Sequence, residues 1–362
     1  MNIAILGAGL MGRLLACQLA RDGHVLEVYD SGGPDAALSA ARAAAAMLAP
    51  LAESAVTEMS VVQMGIYALQ RWPELLAQLK TPVFFQQKGT LVIWHRQDVP
   101  QADRFTRQLD ATHAALPLLP RAQQLDAQGL TALEPSLDNR FTRGLHLPGE
   151  GQLDNHQLLA ALLEHLHTAK VTMHWGQSRA PADFSPGQIG QPDWVFDCRG
   201  LGARNPWTAL RGVRGEIVTL HAPEVTLSRP TRLIHPRYPI YIAPKENGIF
   251  RVGATEIESD DCSPISVRST LELLSAAYSV DSGFAEARVL DLVTQCRPAL
   301  PDNLPAIRRL GDRVVQINGL YRHGYLIAPA VLDVVMEILN TGASTLANQF
   351  PISILTEKGA AL

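Results

Sequence analysis

The sequence predicts an α/β fold in which nucleotide-type segments of strand and helix are interleaved with antiparallel β insertions, and three observations predict it. Residues Asn2 to Asp30 read as strand, glycine turn, helix and strand: Ile3-Ala4-Ile5-Leu6 meets Gly7-Ala8-Gly9-Leu10-Met11-Gly12, and Val25-Leu26-Glu27-Val28-Tyr29 ends in Asp30. Short buried-type strands recur in the middle, at Trp194-Val195-Phe196-Asp197, and near the end, at Val314-Val315-Gln316-Ile317. Between them lie β-rich stretches with few helical signals: Gly212 to Leu220, Ile240 to Ala243 and Ile249 to Ala254.

The opening unit carries the sharpest functional signal. Its glycines let the backbone turn tightly and approach a pyrophosphate, and the following helix offers unpaired N–H groups and the positive end of its dipole. Asp30 lies eighteen residues after Gly12, at the end of the second strand, where an acid accepts the hydroxyls of an adenosine ribose. A glycine pattern alone says little. Here strand, turn, helix, second strand and terminal acid fall in the order that a Rossmann-like dinucleotide-binding unit needs.

Bulk properties narrow the field. The chain has 362 residues, 47% hydrophobic and 18% charged, which suits two intertwined domains with a sizeable interior. Its net charge of −4, without a Lys/Arg block, gives no sign of nucleic acid or an anionic membrane as partner. Cys17, Cys198, Cys262 and Cys296 are scattered without metal-ligand spacing, so a zinc site or a disulfide framework is not expected and a reducing cytoplasm is. The N-terminus opens directly on strand residues, so a signal sequence is not expected. No apolar run of about 20 residues suitable for a membrane span is seen, because Arg42 interrupts the Ala-rich segment that comes nearest.

The remaining elements follow in order. Ala36 to Ala49 carries an Ala-rich helix signal, and Val56 to Leu79 has the three-and-four spacing of one long helix or two. Val83-Phe84-Phe85 and Gly89 to Trp94 read as strands paired around a turn, and Asp103 to Leu116 as a helix closed by Pro117 and Pro120. Asn155-His156 opens a helix through about His167, another spans Val267 to Tyr278, and a final one runs from Ala330 to about Leu339, with Pro329 at its first turn.

Several segments together resemble the FAD-dependent D-amino acid oxidase family, and within it the glycine oxidases of thiamine thiazole biosynthesis. Ala44-Ala45-Ala46-Met47-Leu48-Ala49-Pro50 is similar to the segment that lines the flavin ring, with Ala46 in place of a usual glycine. Val213-Arg214-Gly215-Glu216 resembles the strand that opens the substrate domain. Tyr241-Ile242-Ala243-Pro244-Lys245 and Val252-Gly253-Ala254-Thr255 resemble the family's Tyr-x-x-Pro-Arg and Gly-Ala-Thr. Cys296 to Pro305 is close to Arg-Pro-x-x-Pro-Asp-Gly-x-Pro. Gly319 to Pro329 completes the set, with Leu320 and His323 where a histidine and an asparagine are usual.

The resemblance implies a discontinuous Rossmann-like FAD-binding domain over residues 1–80, 140–211 and 296–362. It also implies an antiparallel-sheet substrate-binding domain over residues 81–139 and 212–295. It implies FAD as cofactor, held by Gly7, Gly9, Leu10, Met11, Gly12, Asp30, Ala46, Met47, Gly200, Tyr321, Arg322, His323, Gly324, Tyr325 and Leu326. The substrate would be a small amino acid. Arg297 would fix its carboxylate by a two-pronged guanidinium contact, Tyr241 would add a hydroxyl donor, and Arg322 would complete the catalytic set. Arg322 reads equally as a site-lining or a loop-bonding arginine, and Met47 equally as ring-packing or core. His235 and His323 have no partner spacing for a triad or a metal, and Cys296 reads as a small buried thiol. The implied reaction passes electrons to O2, giving H2O2. A dehydrogenase with another acceptor and a flavin-binding maturation factor are the alternatives, and a homo-dimer or tetramer is the implied assembly.

Overall fold

The structure, a computed structural model, describes residues 1–137, 140–205, 207–235 and 240–356. Two large sheets organise them. A seven-stranded sheet has the order Ser353–Thr356, Ala306–Leu310, Val314–Asn318, Trp194–Asp197, Asn2–Leu6, Val25–Asp30, Thr172–Trp175, all parallel except where Ala306–Leu310 meets Val314–Asn318. An eight-stranded sheet has the order Arg288–Ala299, Arg211–His221, Ile249–Gly253, Ile240–Pro244, Thr231–Leu233, Thr90–Ile93, Arg143–Leu147, Gln123–Asp126. Its pairings are antiparallel apart from Thr231–Leu233 with Thr90–Ile93. A small three-stranded sheet is formed by Met47–Leu48, Gly151–Leu153 and Phe85–Gln86, with Gly151–Leu153 in the middle.

The expected boundary at 139/140 falls on residues 138–139, outside the described residues. Just beyond it Arg143–Leu147, read from sequence as nucleotide-side chain, pairs in the antiparallel sheet, and Arg288–Ala299 runs unbroken through the expected boundary at 296. The segment Val83-Phe84-Phe85 and the strand after Gly89 do not pair with each other: Phe85–Gln86 pairs with Gly151–Leu153, and Thr90–Ile93 with Arg143–Leu147. These partners are remote in sequence, and a local apolar pattern marks a strand without marking its neighbour.

The Ala-rich segment after Asp30 is not a helix. From Ala36 to Ala46 it runs in turns, with Ala36 and Ala46 at φ 55° and 52°. Alanine favours helix, but here outside donors take the carbonyls that a helix would use internally. Asn155 Nδ2 donates to Ala41 O and Arg42 O, the Tyr325 hydroxyl to Ala41 O, Gln295 Nε2 to Ala37 O, and Lys245 Nζ to Ala45 O.

Helices cover the parallel sheet. Leu10–Arg21 packs against Asn155–Thr168 and Gly324–Thr341, and Met59–Leu76 packs against Gly324–Thr341. The close approach of the last pair needs Gly65, where a Cβ would lie 2.8 Å from Leu326 Cδ1 and 2.9 Å from Pro50 Cβ. Gly324–Thr341 begins well before the start expected at Pro329, which sits inside the helix. Proline has no N–H for the carbonyl of Tyr325, four residues back; the buried Trp72 indole donates to that carbonyl instead, at 2.9 Å. The longer helix also changes the hydropathy picture. Among the described residues, Tyr321–Thr341 alone is long and apolar enough to cross a membrane, and it is largely buried as the core helix of this layer.

The Trp72 contact yields a test. Trp72→Phe leaves a buried carbonyl without its donor and is expected to cost about 1–3 kcal/mol in denaturant unfolding. In a Pro329→Ala background the new N–H supplies the missing donor, so the same substitution costs less. An equal cost in both backgrounds contradicts the assignment.

Candidate active site

The glycine turn sits where the first strand passes into Leu10–Arg21. Gly7 has φ +93°, and a Cβ there would lie 2.7 Å from Cys198 O; a Cβ on Gly12 would lie 1.8 Å from Gly7 O. Gly9 caps the helix with no side chain of its own. The turn is braced by Arg13, 1% exposed, whose guanidinium donates to Ala8 O, Leu159 O and Pro34 O. Asp30 accepts from Ala8 N at 2.6 Å and Gly32 N at 2.7 Å, which fixes its carboxylate at the mouth of the turn.

From this turn a cleft of about 380 Å³ runs along the end of the parallel sheet. Of the residues expected to hold FAD, it is lined by Gly7, Gly9, Leu10, Met11, Asp30, Gly200, Tyr321, Arg322, Gly324 and Tyr325. A second cavity of about 110 Å³ is lined by Ala46, Met47, His323 and Leu326 from the same set, together with Tyr241. The two share Ala43, Ala44, Arg297, Arg322 and Tyr325. Gly12 alone of the expected residues lines neither and serves the turn by its close contact with Gly7. Met47 lines the smaller cavity and packs against buried apolar neighbours. Cys296 is buried, as expected from sequence.

The smaller cavity is strongly polar. Arg322 donates to Glu53 Oε2 at 2.6 Å and to Glu256 Oε2 at 2.7 Å, and Arg232 donates to Glu53 Oε1 at 3.0 Å. The Tyr321 hydroxyl donates to the remaining oxygen of Glu256. Burial alone would raise the Glu53 carboxyl, but Arg322 and Arg232 outweigh it and hold it well below the usual carboxylate range. Glu256 is lowered in the same way: burial opposes and Arg322 prevails. Burial pushes His323 down to about 4, so it is neutral. Burial raises the Tyr241 phenol, which stays protonated.

Arg297 differs from its neighbours. It stands opposite Val213 in the pairing of Arg288–Ala299 with Arg211–His221, and its guanidinium lies across Gly215, where a Cβ would sit 2.3 Å from Nη2. Its donors meet main-chain oxygens: Thr255 O at 3.1 and 3.2 Å and Arg214 O at 3.5 Å. Among the described residues no carboxylate pairs with it. Three guanidiniums (Arg232, Arg297, Arg322) against two carboxylates (Glu53, Glu256) leave one positive charge in the cavity.

Sequence reasoning missed Glu53, Arg232 and Glu256, single charged residues with no spacing that marks them. It also missed Lys245 as an anchor: the Lys245 ammonium, fully buried and pushed down to about 7 by that burial, donates to Ala45 O, Gln152 Oε1 and Leu153 O. That holds the cavity-lining stretch beside Ala46 in its left-handed conformation. Asp197 and Arg199, at the end of the strand Trp194–Asp197 and just beyond it, form a two-pronged pair at 2.8 Å, and Gln316 also donates to Asp197.

The cleft suits a dinucleotide. A Cβ at Gly7 or Gly9 would close the turn against Cys198 or Ser39, a carboxylate is fixed at one end, and a small charged cavity opens at the other. The comparisons agree: residues 2–337 match the DAO family, described as FAD dependent oxidoreductase. The chain belongs to that family, and FAD is its cofactor. It is 39% identical over 345 residues to a thiamine biosynthesis oxidoreductase, ThiO, of Rhizobium etli, covering 94% of this chain and 97% of the relative. It is 23% identical to the glycine oxidase of Geobacillus kaustophilus, covering 91% and 90% of the two chains. Solved structures with the same fold include a glycine oxidase from Geobacillus kaustophilus (TM-score 0.78, 22% identity, 93% and 94% covered). An iminodiacetate oxidase from Chelativorans sp. BNC1 matches as well (TM-score 0.78, 21% identity, 95% and 96% covered).

Behind the cavity lies a second buried acid. Glu150 is 1% exposed and accepts from Ala52 N, next to Glu53; burial raises its carboxyl from 4.5 to about 7. A folded-state value above the unfolded one means stability present below about pH 4.5 and lost as pH rises through 7. Glu150→Gln keeps an acceptor for Ala52 and removes the titration. It is expected to be more stable than the parent at pH 8, by about 1–3 kcal/mol, with the gain shrinking toward pH 5. Unfolding curves at the two pH values check this; a pH-independent difference rules it out.

Proposed function

We propose that this protein oxidises glycine or another small amino acid at its C–N bond, giving an imine that hydrolyses to the 2-oxo acid. Dioxygen takes the electrons and leaves as hydrogen peroxide. The observation that carries the reading is Arg297, a guanidinium without a carboxylate partner among the described residues, facing a small cavity that meets the nucleotide cleft. The 39% identity to ThiO supports a place for the reaction in thiamine thiazole synthesis. We also infer a cytoplasmic enzyme, a homo-dimer or tetramer, with the parallel-sheet layer holding FAD and the antiparallel sheet supplying the substrate side.

In this reading Gly7, Gly9 and the start of Leu10–Arg21 would receive the pyrophosphate, Gly12 would keep the turn closed against Gly7, and Asp30 would receive the ribose. Gly200 and residues 321–326 line the path toward the small cavity, where Ala46, Met47 and Leu326 would hold the ring. When bound, FAD supplies a two-electron acceptor for the hydrogen on the substrate α-carbon.

The chain's own residues do the positioning. Arg297 receives the substrate carboxylate with two parallel N–H donors, and the Tyr241 hydroxyl adds a third. Gly215 makes room for the guanidinium in that pose. Arg322, held by Glu53 and Glu256, forms a fixed wall whose charge is already matched, so the carboxylate is steered to Arg297. All four oxygens of Glu53 and Glu256 already accept from Arg232, Arg322 or Tyr321, so neither acid is assigned as a base. The N-terminal end of Gly324–Thr341 brings a partial positive charge of about half a unit to the flavin side of the cavity, which favours negative charge there.

Arg297→Ala is expected to lower kcat/KM by roughly 30- to 1000-fold or more, as for loss of one partner of a buried charge pair. Gly215→Ala displaces the guanidinium tip and raises KM in the same direction, by less. An Arg297→Ala enzyme with unchanged constants excludes the carboxylate role.

The substrate class is tested with purified yellow protein. Under anaerobic conditions glycine, sarcosine, D-alanine and D-proline are offered in turn, and at least one is expected to bleach the flavin absorbance. Readmitted air should restore the colour with formation of peroxide. Sluggish recovery favours a dehydrogenase, and failure of every compound to bleach the flavin favours a protein that turns over no free amino acid.

A further inference from the structure

Two thiols that are 34 residues apart in sequence meet at the edge of the larger cleft. The sulfurs of Cys262 and Cys296 are 3.1 Å apart. Cys262 is exposed, on a strap of chain over residues 256–264; Cys296 is 4% exposed and directly precedes Arg297. The strap is held firmly against the antiparallel sheet. Glu256 pairs with Arg322, Asp260 with Arg204 and the Gly212 N–H, and the carbonyls of Asp261 and Pro264 accept from Arg214. The pair is therefore a fixed juxtaposition, and neither thiol has a part in the roles proposed above.

We propose that Cys262 and Cys296 form a peroxide-responsive dithiol: hydrogen peroxide closes them into a disulfide that pins the strap to the strand carrying Arg297. The exposed Cys262 thiol loses its proton and attacks one peroxide oxygen; the O–O bond breaks, the second oxygen leaves and takes up that proton to form water, and Cys262 becomes a sulfenic acid. The Cys296 sulfur then attacks the Cys262 sulfur. A sulfur–sulfur bond forms, the sulfenic S–O bond breaks, and the hydroxyl leaves as a second water with the Cys296 proton. Two thiols have given two electrons to one peroxide.

Burial assigns the order of events. It raises the Cys296 thiol and screens it from the oxidant, leaving Cys262 to react first. The fixed approach of the two sulfurs supplies the high effective concentration that an otherwise sluggish resolving thiol needs. In a reducing compartment the bond reopens, so the modification is reversible.

The test uses the FAD-loaded protein with added peroxide, so it needs no turnover and its failure leaves the amino acid reading untouched. After oxidation and unfolding, the four thiols are expected to fall to two, with a linked peptide containing Cys262 and Cys296, and dithiothreitol restores four. Protease cleavage within the strap should slow in the oxidised form. In Cys296→Ser, Cys262 has no resolving partner and goes on to sulfinic acid. In Cys262→Ser, the screened Cys296 stays reduced at the same dose. A wild-type protein that keeps all its thiols, cross-links another pair, or over-oxidises Cys262 without the linked peptide overturns the proposal.

Discussion

The Glu53 carboxylate, at the end of the short helix Pro50–Glu53, accepts from Arg232 on one oxygen and Arg322 on the other, and much of the site depends on that arrangement. Arg232 belongs to a strand of the antiparallel sheet and Arg322 to the turn that leads into the long helix Gly324–Thr341. One acid thus ties the two layers together where the cavities meet. Buried ion pairs add little stability over well-packed apolar groups, while removing one partner leaves a costly lone charge. The consequence of this network is positional and electrostatic. With two arginines matched by Glu53 and Glu256, the surplus positive charge falls to Arg297, whose donors touch only main-chain oxygens among the described residues.

The wall of the site follows the same logic of occupied partners. The segment from Ala36 to Ala46 would be helical on propensity, yet side chains from Asn155, Lys245, Gln295 and Tyr325 claim its carbonyls. Those donors come from both layers, so the segment is drawn out along the seam and its small side chains line both cavities. Ala46 sits in the left-handed region where a glycine is usual in the resembling enzymes; the Lys245 anchor on the preceding carbonyl holds that conformation.

Legibility in the sequence tracked locality. The βαβ unit was readable because its signal lies within thirty consecutive residues and each part has a separate chemical reason. The helix Met59–Leu76 announced itself by its apolar spacing, and Asn155–Thr168 was read from its Asn155-His156 opening. Strand partners were not readable: Arg143–Leu147 looked like nucleotide-side chain until its backbone met Thr90–Ile93 and Gln123–Asp126. The start of the last helix was misplaced because Pro329 resembles a first-turn proline. What allows it inside the helix is the Trp72 indole, remote in sequence. Glu53, Arg232 and Glu256 carried no pattern at all; their meaning is a charge balance that exists only once they share a cavity.

By itself, then, the sequence determined the chemistry of the parts: a pyrophosphate turn with its ribose acid, apolar faces for two kinds of layer, and a set of arginines and tyrosines in family order. Only the tertiary structure decided which arginines are neutralised and which stays available, which carbonyls a helix may keep, and which thiols meet. The reason is physical. Backbone propensity and turn chemistry act over a few residues, whereas electrostatic matching and hydrogen-bond competition depend on distance in space, and that distance is set when the sheets pack.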